Sequence, residues 1–145
     1  MSTTVHYKLK DYKETFAFER EHPKPLRWDD RYKMYMLTEN SNVQGIWLKE
    51  KGLLIGEIIM TWQSKNVVHV ESLTVSPTHR GKGYGYDLVK SAIEWATNSD
   101  YEFMVGEARK GHSWKIFENF GAVPVLLYKD WNGTKEDYMS FKLDL

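Results

Sequence analysis

The chain has 145 residues, with 20 Lys+Arg balanced by 20 Asp+Glu and no cysteine. That leaves room for one domain and removes disulfide frameworks, thiolate nucleophiles and Cys-ligated zinc. A formal net charge of +0 takes away the general basic excess by which nucleic-acid and anionic-membrane binders hold their partners, so neither partner is expected.

The five His residues are scattered without metal-ligand spacing, and no metal is expected. The start of the chain, Met1-Ser2-Thr3-Thr4-Val5-His6, lacks a cationic leader, and no apolar run reaches the roughly 20 residues of a membrane span, which predicts a soluble, cytoplasmic protein. In chain order, Val5-His6-Tyr7-Lys8-Leu9 alternates apolar and polar residues and reads as a short strand. Asp11 with Glu14 three positions later reads as a helix start, and that helix must stop near Pro23. Pro23 and Pro25 keep the following connection irregular, and Asp29 or Asp30 starts a second short helix to about residue 37. From Val43 the pattern is β: strands over 43–48, 53–62 and 67–75, parted by turns at 49–52 and 63–66, predict an antiparallel meander. After Pro77 the period becomes helical, with Gly85, Leu88, Val89, Ala92, Ile93 and Ala96 on one side. A strand over 101–105 follows, and then a short helix marked by Ser113, Ile116, Phe117 and Phe120 and ended by Gly121. Two strands, over about 123–128 and 138–143, complete the chain. This order predicts a single-domain α/β fold, a mixed and mostly antiparallel sheet of about six to seven strands flanked by about four helices.

The segment that carries chemistry runs Leu73-Thr74-Val75-Ser76-Pro77-Thr78-His79-Arg80-Gly81-Lys82-Gly83-Tyr84-Gly85: a strand, a glycine-rich turn and the start of a helix. Backbone N–H groups exposed by such a turn lie at the positive end of the helix and suit a phosphate or pyrophosphate, with Arg80 and Lys82 adding two cations. The third glycine of Gly81-Lys82-Gly83-Tyr84-Gly85 comes one residue too early for a dinucleotide fingerprint, and no Ser or Thr follows the lysine as a Walker loop requires. The plain alternative is a flexible turn that only caps a helix.

Arg80-x-x-Gly83-x-Gly85, led in by a strand ending Leu73-Thr74-Val75-Ser76-Pro77, resembles the acyl-coenzyme A motif of the GNAT acetyltransferase superfamily. Ser113-Trp114-Lys115-Ile116-Phe117-Glu118-Asn119-Phe120-Gly121 is similar to that family's later helix, and the order of elements matches its fold over nearly the whole chain. The resemblance implies an acetyl-coenzyme A dependent N-acetyltransferase, with the coenzyme as cosubstrate and direct attack by an amine. It implies a GNAT-like fold whose central parallel pair, the strand ending at Val75 and the strand over 101–105, is splayed. It also implies coenzyme contacts from Leu73, Thr74 and Val75 along the pantetheine arm, from Arg80, Gly81, Lys82, Gly83, Tyr84 and Gly85 at the pyrophosphate, and from Ser113 and Phe117 on the later helix.

An amine attacks only as the free base, and the resemblance offers Glu71 as the group that takes its proton; the other reading of Glu71 is a strand carboxylate facing solvent. The family often has tyrosine where this chain has Phe117, and phenylalanine has no proton for the departing thiolate. Either the thiolate leaves unaided, or His112, Ser113, Tyr32 or Tyr35 supplies the proton, or the chain binds acyl-coenzyme A for regulation with little or no turnover. For the acceptor, the resemblance points to the first two helices, where Trp28, Asp29, Asp30 and Tyr32 are candidates to hold an amine by charge and cation–π attraction; those aromatics also suit a core and those aspartates helix caps. The acceptor's identity is open, and a homodimer is compatible with the pattern.

Overall fold

The computed structural model describes residues 2–6, Phe18 and residues 42–145. The two helices expected before residue 38 lie outside the described residues, apart from Phe18, which is helical and buried. Among the described residues seven strands form one sheet: β1 (Ser2–His6), β2 (Val43–Glu50), β3 (Leu53–Trp62), β4 (Val67–Val75), β5 (Phe103–Arg109), β6 (Val123–Tyr128) and β7 (Tyr138–Asp144). Their order is β1-β2-β3-β4-β5-β7-β6. Every neighbouring pair is antiparallel except β4 with β5. Among the described residues there are two α-helices, α1 (Tyr84–Asn98) and α2 (Trp114–Asn119).

The parallel pair follows from the sequence between its strands. α1 carries Leu88, Val89, Ala92 and Ala96 at helical spacing, and all four are buried. A helix with one such apolar stripe lies on the sheet and returns the chain to start β5 beside β4, running the same way. One cluster joins these residues to Ile46, Ile58, Met60, Val68, Val70, Met104, Ala108, Phe141 and Leu143 of the sheet and to Trp114 and Phe117 of α2. Trp62, Trp95 and Tyr101 close one end of it, with ring centroids 5.6–5.8 Å apart. The opposite face of β2 to β4 carries Trp47, Glu57, Ile59 and Thr74, also buried.

Three boundaries differ from the sequence reading. β1 lies at Ser2–His6 instead of 5–9, set by pairing of Val5 with Trp47 and His6 with Ile46. β2 runs on to Glu50, because Lys49 and Glu50 pair with Leu54 and Leu53 to close the hairpin. β5 begins at Phe103 and runs to Arg109, because its later residues pair with β7 up to Arg109 opposite Tyr138.

Candidate functional site

β4 and β5 pair only from Val67 with Phe103 to Val70 with Gly106. Beyond that rung β4 stays with β3 as far as Val75, while β5 stays with β7 as far as Arg109. The sheet therefore opens into a wedge between residues 71–75 and 107–109, with the backbone edge of β4 facing the gap.

An irregularity sits at the mouth of that wedge. Ile59 pairs with Ser72 and Met60 with Val70, so Glu71 is an extra residue in β4. A bulge shifts the phase of the side chains that follow it. Val68 and Val70 belong to the helix-covered cluster, whereas after the bulge it is Leu73 and Val75 that pack against it. The bulged Glu71 carboxylate meets Thr61 and His69: its Oε1 accepts from the Thr61 hydroxyl at 2.6 Å and lies 2.9 Å from His69 Nδ1.

At the far end of β4 the chain turns through Pro77–His79 into the glycine loop. The Ser76 N–H donates to Ile55 O at 2.8 Å, and the Arg80 Nε–H donates to Val75 O at 3.2 Å, folding the loop against its own strand. Gly81 and Gly83 have φ of +77° and +85°, a region where a side chain is strained. Gly83 is the N-cap of α1 and offers no side-chain cap, so the amides of the first helical turn remain as donors at the positive end of the helix. Tyr84 anchors this end: its hydroxyl donates to Glu50 Oε2 at 2.8 Å, and His79 Nε2 lies 3.7 Å from Glu50 Oε1. The hydrogen bond from Tyr84 holds the Glu50 carboxyl below the usual carboxylate range.

Two clefts flank the wedge. The first, of about 390 Å³, is lined by Leu73, Thr74 and Val75 of β4, by Arg80, Gly81, Gly83, Tyr84 and Gly85 of the loop and helix start, and by Ser113. It also takes in His79, Tyr86, Arg109, His112 and Ile116. The second, of about 190 Å³, is lined by His69, Glu71, Glu107, Phe117, Trp131 and Tyr138 among others. Leu73, Arg109, His112 and Ser113 belong to both, so the clefts meet across the wedge.

The residues named from the sequence are thus distributed over two compartments. Lys82 is exposed on the loop and does not line the first cleft. Phe117 lines the second cleft, not the first, with its ring stacked 4.3 Å from Phe141. Trp28, Asp29, Asp30, Tyr32 and Tyr35 lie outside the described residues. Sequence reasoning missed His69, Glu107, Arg109, Trp131 and Tyr138. Of these, only His69 had a weak signal, as a polar residue between Val68 and Val70 inside a predicted strand; Glu107 and Arg109 lie beyond the strand read over 101–105.

Electrostatically the two clefts differ. The first joins helix-end amides to Arg80, as suits an anion at its loop end. Thr74 is part of its lining, and its buried Oγ1 has no hydrogen-bond partner among the described residues. A Cβ on Gly85 would stand 2.9 Å from Ile116 Cδ1, so the lining is tight at that glycine. The second cleft brings the carboxylates of Glu71 and Glu107 together with His69 and Arg109. Burial opposes a charge on His69, but hydrogen bonds to Glu107 and Glu71 outweigh it and raise its pKa to about 9. Burial likewise disfavours ionised Glu71, but the hydrogen bonds from His69 and Thr61 hold its carboxyl below the ordinary value. Desolvation pushes the Tyr138 phenol up, so it stays protonated.

Among the described residues no group of three or more His, Cys, Asp or Glu could hold a metal ion, and no helix is long and apolar enough to cross a membrane.

The model of the acetyltransferase (GNAT) family matches residues 8–122. No curated protein sequence matches the chain significantly. Among solved structures, the ribosomal-protein-S18-alanine N-acetyltransferase from Escherichia coli superposes with a TM-score of 0.85 at 14% identity, covering 99% of this chain and 94% of that one. Arabidopsis thaliana NAA60 in complex with acetyl-CoA gives 0.81 at 11% identity, covering 100% and 99%. A GNAT-family acetyltransferase from Streptococcus pneumoniae gives 0.80 at 15% identity, again covering 100% and 99%.

Proposed function

Because the chain belongs to the GNAT acetyltransferase family, which moves an acetyl group from acetyl-coenzyme A to an amine, we propose that its first cleft holds the coenzyme and its second the acceptor. The observation that carries this reading is the junction of the two clefts at the wedge, around Leu73, Arg109, His112 and Ser113. The amides around Gly81, Gly83 and Gly85, with Arg80, hold the pyrophosphate; the open edge of Leu73, Thr74 and Val75 pairs with the pantetheine arm as an added strand would. The thioester then lies at the junction, reached by an amine from the second cleft. We read the chain as one catalytic domain acting in the cytoplasm.

Glu71 acts as base. It is ionised at neutral pH, and its Oε2 has no hydrogen-bond partner among the described residues. An acceptor ammonium gives one proton to that oxygen, directly or through water, and thence to solvent. The freed nitrogen pair bonds the acetyl carbon as the carbon–sulfur bond breaks, and the second nitrogen proton ends on the coenzyme thiol. Phe117 cannot deliver that proton, and with a thiol pKa of about 8.5 the thiolate leaves tolerably without an acid. The carboxylates of Glu71 and Glu107 in the second cleft suit a cationic amine, with Trp131 and Tyr138 as aromatic neighbours in the lining.

One observation, Phe117 in place of a hydroxyl-bearing residue, favours a second reading in which the chain binds acyl-coenzyme A without turnover. Thiol release from acetyl-coenzyme A separates the two when assayed with polyamines, aminoglycosides, amino acids and lysine peptides. Turnover with any of them establishes the first reading. A rise in Tm with coenzyme A but no thiol release on any acceptor favours the second.

A further inference from the structure

Glu71 and Glu107 stand on different strands and reach each other only through one side chain. His69 Nδ1 lies 2.9 Å from Glu71 Oε1, and His69 Nε2 lies 3.0 Å from Glu107 Oε2. Ionised carboxylates only accept hydrogen bonds, so both ring nitrogens must carry protons; the geometry itself calls for an imidazolium. The bridge spans β4 and β5 one rung short of the point where their ladder ends, since His69 pairs with Val105 and the last rung is Val70 with Gly106.

We propose that His69 is a positioning residue of acetyl transfer: as a cation clamped between Glu71 and Glu107 it straps the two strands at the mouth of the wedge and fixes the Glu71 carboxylate with Oε1 engaged and Oε2 left for the acceptor. This rests on the reading of Glu71 as the base. Three groups from three strands converge on that carboxylate: Thr61 of β3 and His69 of β4 directly, and Glu107 of β5 through His69. Arg109, His112 and Tyr138 are the remaining titratable or charged groups lining this cleft, and Arg109 faces Glu136 at 4.0 Å. With His69 charged, Glu71, His69 and Glu107 together carry one net negative charge, which attracts an ammonium without leaving two bare carboxylates side by side. The His69 cation also keeps Glu71 ionised, so the base is ready at neutral pH.

Imidazole 15N and carboxyl 13C NMR titrations of the whole chain read the strap without any acceptor. In the native protein the His69 midpoint is expected near 9. In Glu107→Gln it should fall toward the ordinary 6.5, and in His69→Gln the Glu71 midpoint should move upward. A native His69 midpoint near 6.5, or a Glu71 midpoint unmoved in His69→Gln, overturns the proposal. Coenzyme A affinity by calorimetry should stay within about twofold of native in both variants, because neither residue lines the coenzyme cleft. A tenfold loss of affinity would make His69 a fold residue and overturn the positioning role. Failure of the base reading is seen elsewhere, as full turnover in Glu71→Gln, and so is distinguishable from failure of the strap.

Discussion

Gly83 offers the sharpest test of the coenzyme cleft, because the costs of changing it to folding and to binding can be worked out separately. It caps α1 with φ +85°, and a Cβ built on it meets nothing within 4 Å. Substitution by Ala therefore meets no steric wall; it carries the left-handed backbone cost of about 1–2 kcal/mol, partly offset by about 0.4–1 kcal/mol of lost unfolded-chain freedom. The net is about 1 kcal/mol, a fall in Tm of about 3 °C for a chain of this size. Glu at the same position carries the same backbone cost and adds a carboxylate beside the helix-end amides, where a phosphate should sit. Two unit charges about 4 Å apart repel by about 1 kcal/mol in bulk water and about 4 kcal/mol at near-surface screening. Coenzyme A affinity should therefore fall by about fivefold to about 1,000-fold in Gly83→Glu. Calorimetric titration with coenzyme A and a melting curve, run on Gly83→Ala and Gly83→Glu together, measure both costs. If Gly83→Glu melts within a few degrees of Gly83→Ala yet binds coenzyme A within twofold of the native chain, the phosphates do not lie at this turn and the assignment of the first cleft fails.

Three further outcomes follow from the geometry. Glu71→Gln should lower kcat by about 100-fold or more with coenzyme affinity retained, read by thiol release on an accepted amine; native-like kcat would remove Glu71 from the chemistry. The His69 cluster should leave a mark on stability against pH. His69 is raised in the folded state, so its contribution is full below the unfolded value of 6.5 and is lost as pH rises toward 9. Glu71 is lowered, so its contribution is present above the ordinary glutamate range and lost as pH falls through its folded value. With the His69 side chain 34% exposed, solvent screening leaves on the order of 1–2 kcal/mol. Native Tm should drop about 3–6 °C more than that of His69→Gln between pH 6.5 and 9.5, and parallel curves would contradict this. Gly106→Ala should destabilise by about 1–3 kcal/mol. Its Cβ would stand 3.0 Å from Phe141 Cζ and 3.4 Å from Val70 Cβ, and Phe141 is held by its stack on Phe117. Unfolding in urea measures it, and an unchanged midpoint would show that Phe141 can give way.

The parts legible in the sequence were those whose signal is local. α1 announced itself through Leu88, Val89, Ala92 and Ala96, and β3, β4 and β6 through apolar runs bounded by turn residues. The glycine loop was readable because the lead-in strand, the glycines and the helix are contiguous. The acceptor side was not, for three physical reasons. Glu71 lies in a bulge, and alternation assumes one unbroken phase, so no count along Val70-Glu71-Ser72-Leu73 could tell which way the carboxylate points. His69 and Glu107 meet across a parallel pair, 38 residues apart, and such pairing leaves no local trace. β5 ends in Gly106-Glu107-Ala108-Arg109, small residues alternating with charged ones, so its second half carries no hydrophobic signal even though Ala108 is buried.

Remove Glu71 on paper, and β4 becomes a regular strand. Ser72 then follows Val70 directly, their partners Ile59 and Met60 are already consecutive, and the residues that pack on α1 alternate without a break from Val68 to Val75. The apolar core makes no use of this residue: it is absent from the buried cluster, and without it the β3–β4 register has no shift. Glu71 is thus an insertion that the architecture tolerates at some loss of strand pairing, and what it adds is a carboxylate at the mouth of the wedge. A deletion variant lacking only Glu71 should accordingly lose turnover while melting no further below the native chain than the loss of its contacts with His69 and Thr61 requires, about 3–6 °C.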